Sequence, residues 1–381
     1  MRKFNKIFIA FMLTLFLSFS NIFLVFANPY YFVDEDMHTF EQSPDANEQL
    51  KNEFHVLLND LFDQRNKSIL SGDSEGLKVF YDLNKKVSLW AYESENKKID
   101  YLKNWSEKQA VTFNNIQSLL KVRKVKEKEP GIYGIVCSAT TEFDYSYITS
   151  PDIHNKFRLG TSHYINLKKE NDKYVITKEW YTDPFADSLN LNNIKKSEEM
   201  KEYILSKDCP EINLTEKLEK AIDYAHKYCG IAYDDEYNFK YNKEYTNFNP
   251  QGGDCANFAS QILYEGAGFK KNKLWNYEGR DGSKAWVNAQ SFKNYMINSG
   301  RASYIAKGTY EEIYKNAYNL RPGDFVAYEK NGKIVHVSTV TGLDSKGYPL
   351  VTCHNTDRLL VPYDLGFSNT NIKFHLIKVH Y

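Results

Sequence analysis

The sequence predicts an α+β protein in two parts, each with helices followed by antiparallel strands. Three observations predict it. Apolar residues at helical spacing over 50–62 give way, from about Asn115, to short extended runs. A further helical stretch from Thr215 again leads into strands and hairpins, and helices followed by strands is the order of an α+β domain. Finally, 381 residues exceed what one ordinary core takes.

Residues 1–27 read as a secretory signal. Arg2, Lys3 and Lys6 precede an apolar run over 7–26, interrupted only by Thr14, Ser18, Ser20 and Asn21. Val25-Phe26-Ala27 then provides a small-residue exit before Asn28-Pro29. The run is nearly long enough to span a bilayer, so an uncleaved anchor is the competing reading. The polar residues and the exit favour cleavage, and both readings place the working domains outside the cytoplasm. No second stretch approaches spanning length, so the expectation is a secreted, cell-wall or extracellular protein with no stable membrane span after signal cleavage.

A polar, acidic stretch over 34–47 leads into an amphipathic helix with Leu50, Phe54, Leu57, Leu58, Leu61 and Phe62 on one face, broken at Gly72-Asp73. A second helical segment carries Leu77, Phe80, Tyr81, Val87 and Trp90. Extended runs over 132–138 and 157–167 and a turn at Asn171-Asp172 precede a strand over 174–180. Together these form an accessory domain over 45–185. Its order resembles the cone-shaped nuclear-transport-factor-2-like domains at fold level only, which says little about function. His154 and His163 are read as ordinary strand or loop residues. Residues 186–212, rich in Asn, Ser, Lys and Glu, read as a linker to a domain over 213–381.

Composition narrows the function classes. Lys+Arg 49 balances Asp+Glu 49, so nothing draws the chain toward nucleic acid or an anionic membrane. The 29 Tyr and 24 Phe reflect a biased composition rather than a binding platform. Five cysteines are too few and odd in number for a disulfide framework, and at least one must stay unpaired. Whether Cys209 and Cys229 pair is left open. No metal or other cofactor is expected: there is no H-E-x-x-H, and His375 and His380 lack convincing partners. No G-x-S-x-G marks a serine hydrolase.

The chemistry concentrates in the second half. A helix over 215 to about 228 precedes Gly252-Gly253-Asp254-Cys255-Ala256-Asn257-Phe258-Ala259-Ser260-Gln261. The glycines permit a tight turn, Asp254 is a cap candidate, and Cys255 falls in the first turn of a buried helix. Unpaired N–H groups and the helix dipole there favour a thiolate. Leu320-Arg321-Pro322-Gly323-Asp324 turns into a strand over 325–328, and Asn331-Gly332 marks a two-residue hairpin. The return strand carries His336, placed opposite Ala327. A second hairpin over 344–347 leads to 350–355. If Leu343 faces Tyr348, His336 faces Asn355, with His354 one step along, and a one-residue slip exchanges them. A polar side chain there would orient His336 as the third member of a triad does.

These residues resemble the papain-like cysteine hydrolases, in which Cys, His and a polar orienter follow in that order. Residues about 213 to 381 are closely similar to the Putative amidase domain family, whose hallmark is a D-C-x-N-F-x-S-Q helix. The Leu274-Trp275-Asn276-Tyr277 and Ser283-Lys284-Ala285-Trp286-Val287 segments, the Pro322-Gly323-Asp324-Phe325 strand and the histidines at 336 and 354 belong to the same resemblance. Similarity to NlpC-type and CHAP-type cell-wall peptidases is more distant. The resemblance implies Cys255 as nucleophile, His336 as base and His354 as orienter, with Asn355 the rival orienter. The second oxyanion donor beside the Cys255 N–H is sought at Asn249 or Gln251. Trp286 is equally a cleft or a core residue, and Asn257 and Gln261 are read as structural. The expected activity is hydrolysis of an amide bond in a cell-wall peptide through a thioester acyl-enzyme, without a cofactor. The alternative is an inactive binding, wall-attachment or spore-coat module that retains the pocket. Acyl transfer to an amine is a third option.

Overall fold

The computed structural model describes residues 44–171, 173–185, 197–367 and 371–381. The expected signal over 1–27, most of the acidic stretch over 34–47 and the linker segment 186–196 lie outside them. Residues 42–248 and 253–381 form one compact unit, and the short turn at 249–252 falls outside it. Among the described residues, no helix is long and apolar enough to cross a membrane.

The first helix, α1 (Pro44–Ser71), ends at Gly72, whose φ of +73° stops the helix where Gly72-Asp73 predicts. The second expected helix divides into a 3-10 turn, Glu75–Phe80, and α2 (Lys86–Gln109). Helix α2 runs well past Trp90 because Tyr92, Ile99, Leu102 and Trp105 continue its buried face. Four antiparallel strands follow: β1 (Val111–Glu129), β2 (Ile132–Tyr147), β3 (Ser150–Glu170) and β4 (Lys173–Tyr181). They are longer than the short runs expected from sequence.

Within the expected linker, α3 (Glu198–Leu205) is capped by the Ser197 hydroxyl, which accepts the Met200 N–H. Helix α4 (Glu216–Tyr228) begins at Thr215, whose hydroxyl accepts the Leu218 N–H. Helix α5 (Cys255–Gln261) follows the Gly253-Asp254 turn and widens into a π turn over Ile262–Gly266. A small ribbon of β5 (Tyr277–Glu278) and β6 (Asp281–Gly282) precedes α6 (Lys284–Val287) and α7 (Ala289–Asn298). Then come β7 (Ala302–Gly308), α8 (Tyr310–Ala317), β8 (Phe325–Lys330), β9 (Lys333–Leu343), β10 (Pro349–Cys353), β11 (Arg358–Pro362) and β12 (Ile372–Val379).

Ten strands form one sheet in the order β1-β2-β3-β11-β10-β9-β8-β12-β7, with β4 also on β3. Mixed helices on an antiparallel sheet give the α+β class expected from the sequence. The sheet is continuous because β3 is long enough to serve two partners on one edge. Residues 163–170 pair with β4, whereas Arg158 and Leu159 pair with Leu359 and Arg358 of β11. Buried polar contacts reinforce the junction. Asp364 accepts from Lys108 Nζ (2.5 Å), Trp105 Nε1 (3.1 Å) and the Tyr348 hydroxyl (2.9 Å). Asp344 accepts the hydroxyls of Tyr145 and Tyr147.

The β8–β9 hairpin turns at Asn331-Gly332, both at positive φ as a type I′ turn requires. Its register differs from expectation. A bulge between Tyr328 and Glu329 on one strand and Ile334 and His336 on the other pairs His336 with Tyr328, and Val337 with Ala327. The extra residue, Val335, is exposed, so the bulge shifts His336 by one position. In the next hairpin Leu343 faces Pro349 rather than Tyr348, a second irregularity follows Leu350, and regular pairing ends at Thr352 with Thr339.

Candidate active site

The glycine turn performs the expected task. Gly253 sits at φ +138°, and a Cβ there would meet Asn355 Nδ2 at 3.1 Å. Asp254 follows at the N-cap of α5, but its side chain makes no cap hydrogen bond. Its Oδ1 accepts the Phe248 N–H and Asn257 Nδ2, both at 2.9 Å, and its Oδ2 lies 2.6 Å from His354 Nδ1. Cys255 is therefore the first residue of a buried helix whose N-cap side chain makes no hydrogen bond to the helix N–H groups.

Burial pushes the Cys255 thiol up to about 11. The N–H groups of Val337, Ala256 and Cys255 itself oppose that shift, while the Asp254 carboxylate adds to it. Cys255 packs with Ala327 and Val337 in the cluster between the helices and the sheet.

His336 lies one residue from Val337 and turns the other way. Residues directly opposite in a ladder share a face, so His336 follows Tyr328 into the second cluster. Its ring stands 5.4 Å from Tyr328 and 5.5 Å from Phe367, and its Nε2 is 3.2 Å from Cys353 Sγ. Burial and then the Arg358 charge push its imidazole down to about 3, so it is neutral near pH 7. Burial pushes the Cys353 thiol up to about 12. Among the described residues, Cys255 makes no hydrogen bond to an imidazole.

His354 does not orient His336. Nδ1 faces Asp254, Nε2 is 2.7 Å from the Tyr228 carbonyl, and the ring is sandwiched between Tyr241 and Phe258, each centroid 3.7 Å away. The physical reason is that β10 ends at Cys353, and the turn beyond it swings His354 onto the α5 amino terminus. Asn355, at φ +69°, lies against Gly253 in the same turn. Asn249 and Gln251 form a 3-10 turn outside the compact unit, with Asn249 buried.

Trp286 is a core residue. It is fully buried, packs 4.6 Å from Trp275 and donates Nε1–H to Asn257 Oδ1 at 2.9 Å. Ser260 accepts from Trp275 Nε1 and donates to the Trp286 carbonyl, both at 3.0 Å. Gln261 Oε1 accepts the Tyr224 hydroxyl at 2.9 Å. Asp, Asn and Ser of the D-C-x-N-F-x-S-Q helix thus each hold two neighbouring segments in place, and Gln holds one. That accounts for the whole motif as a scaffold around one thiol.

Residues 215–377 match the family described as Putative amidase domain. A relative named "Uncharacterized protein YjcM", from Bacillus subtilis (strain 168), is 31% identical over 145 residues. That alignment covers 35% of this chain and 32% of the relative, so the chain spans about a third of the relative's length. The crystal structure of the intermembrane space region of chloroplast protein ARC6 aligns with 33% of this chain and 94% of its own, at 10% identity and a TM-score of 0.23. A likeness at that score carries no argument.

The matched stretch over 215–377 contains two groups that sequence reasoning missed. Asp254 was assigned only a cap role, although a buried carboxylate requires partners and the motif supplies Asn257 within reach. Cys353 had no assigned role, and nothing in its local sequence marks it as the partner of His336. All five cysteines are free, with Cys209 exposed and Cys229 buried. Among the described residues, no group of three or more His, Cys, Asp or Glu side chains could hold a metal ion.

Proposed function

We propose that residues 213–381 form a papain-like thiol hydrolase that cleaves an amide bond through Cys255. The observation that carries this reading is the placement of Cys255 within the amidase-family stretch: first residue of a buried helix, with the Asp254 side chain diverted from the helix N–H groups. The Cys255 thiolate attacks the amide carbonyl, and the backbone N–H of Cys255 receives the developing oxyanion. His336 takes the thiol proton as Cys255 attacks, and the C–N bond breaks as that proton passes to the leaving amine. Water, deprotonated by His336, then releases the acid from the thioester while the proton returns to the Cys255 sulfur. His336 lies on the Tyr328 face of β9 and contacts Cys353, so to act as base it must leave Cys353 and reach Cys255.

The proposed substrate is a peptide stem or cross-link of peptidoglycan, reached after export by the signal over 1–27. The accessory domain over 45–185, read as nuclear-transport-factor-2-like, would position the substrate. Product mapping by mass spectrometry on purified peptidoglycan tests the proposal. Wild type should release peptide fragments that Cys255→Ala does not, and release by Cys255→Ala would remove Cys255 from the chemistry.

One observation favours the rival, an inactive binding module for wall attachment or spore-coat assembly. The Cys255 thiol is buried, and among the described residues no imidazole is bonded to it. Iodoacetamide labelling of the folded protein separates the two readings. Labelling of Cys255 that is enhanced by a peptide substrate supports the hydrolase. A Cys255 inert under all conditions, in a protein that still binds peptidoglycan, supports the module.

A further inference from the structure

The imidazole at 354 has a hydrogen-bond partner at each ring nitrogen and an aromatic ring on each face, and neither nitrogen is bonded to Cys255 or His336. Its two ring nitrogens face a carboxylate and a carbonyl, which only accept hydrogen bonds. Both nitrogens therefore donate, and the ring carries a positive charge paired with Asp254. The aromatic faces of Tyr241 and Phe258 enclose that charge from both sides. Phe258 belongs to α5 itself, so the ring grips the helix at its side and at its N-cap together.

An Asp at an N-cap ordinarily turns its carboxylate onto the N–H groups of the first turn. Those groups surround the Cys255 sulfur. A carboxylate bound there would occupy the donors that a thiolate or an oxyanion needs, and would place a like charge beside the thiolate. Here Oδ2 goes to His354, Oδ1 goes to Phe248 N–H and Asn257, and no cap bond forms.

We propose that His354 and Asp254 are a positioning ion pair that fixes the amino terminus of the nucleophile helix and keeps the Asp254 carboxylate off its N–H groups. The pair acts through Cys255 and does not touch the reacting atoms. The proposal rests on the reading of Cys255 as nucleophile. The titratable groups facing the pair are Asp357 and Tyr241, which are hydrogen-bonded to each other, and Tyr224 and Tyr228 on α4. The Cys353 thiol on β10 lies close enough to Cys255 for each to feel the other's charge.

The test follows iodoacetamide alkylation of Cys255 in the full chain, resolved by peptide mapping, from neutral pH upward. His354→Ala leaves Asp254 uncompensated, so alkylation at fixed pH should fall about tenfold and its pH midpoint should rise by about one unit. His354→Asn keeps a donor toward Asp254 and should stay within about threefold of wild type. His354→Gln reaches the Tyr228 carbonyl instead and should behave like the alanine variant. Asp254→Asn combined with His354→Ala removes the carboxylate and should restore the midpoint.

Should His354→Ala fail to fold, the Asn and Gln variants carry the same comparison. A wild-type alkylation profile in His354→Ala overturns the positioning role. So does an Asn variant that is no better than Gln. Neither result depends on the substrate. Amide hydrolysis that survives Cys255→Ala would instead overturn the hydrolase reading and leave the alkylation results standing.

Discussion

At the scale of single residues, burial decides how the candidate groups ionise. Cys255, Cys353 and His336 are all driven toward their neutral forms, because a charge taken out of water without a full set of partners is costly. For His336 this gives a signed prediction. Its imidazole titrates at about 3 in the folded chain and near ~6.5 when unfolded. As pH falls below the unfolded value, the unfolded state takes up the proton first. The stability contributed by the neutral ring is thus complete above that value and is lost as pH falls toward the folded one, by about 1.4 kcal/mol per pH unit. Relative to wild type, His336→Asn should flatten the pH dependence of the urea midpoint across this window. An unchanged slope would mean that the ring is not buried in solution. Asp324 and Asp357, both pushed up to about 6 by burial, act in the opposite sense, so the comparison must be between variants and not of absolute stabilities.

At the scale of elements, turns and bulges place the side chains. Gly253 combines a left-handed φ with close approach to Asn355. Gly253→Ala should destabilise the chain by about 1–3 kcal/mol, visible in urea unfolding, and should slow Cys255 alkylation by shifting the start of α5. The bulge at Val335 is the second device. It turns His336 to the Cys353 side and leaves Val337 facing Cys255. Deleting Val335 would remove the bulge yet keep His336 opposite Tyr328, so Cys255 alkylation at neutral pH should stay near the wild-type rate. A marked rise would show that the bulge does not set the register of His336. In the accessory half, α1 supplies Arg65, whose Nη2 donates to Glu179 at 2.5 Å and to the Tyr81 hydroxyl at 2.6 Å. Burial alone would raise the Glu179 carboxyl, but Arg65 and His163 hold it well below the usual carboxylate range. Breaking that buried pair with Arg65→Met should cost about 3–5 kcal/mol, read from the urea midpoint near neutral pH.

At the scale of the whole molecule, the two halves share one sheet and a set of buried polar locks. The pairing of β3 with β11 is short, so the locks at Asp364 and Asp344 carry much of the junction. Asp364→Ala strands Lys108, whose ammonium also lies 3.7 Å from the centre of the Tyr310 ring. The expected loss is about 3–5 kcal/mol. Tryptophan fluorescence should report one unfolding transition for the wild type, because the shared sheet couples the half that holds Trp105 to the half that holds Trp275 and Trp286. Two separated transitions would show that the halves fold independently.

Much of the architecture was legible in the residues alone. The α+β class, the Gly-Gly-Asp-Cys turn, the helix at Thr215 and the Asn331-Gly332 hairpin all follow from local spacing and turn chemistry, which act over a few residues. The stretch matched by the amidase family was legible by resemblance of its motifs. The choice of partners was not. Ladder register moves by one residue at each bulge, and no local signal marks the bulge at Val335 or the irregularity after Leu350. His336 therefore meets Cys353, and His354 meets Asp254, where the sequence pairs His336 with Cys255 and His354 or Asn355 with His336. Local interactions determined which groups gather in this domain. Only the tertiary packing, where one residue of register flips a side chain across the sheet, decided which of them touch.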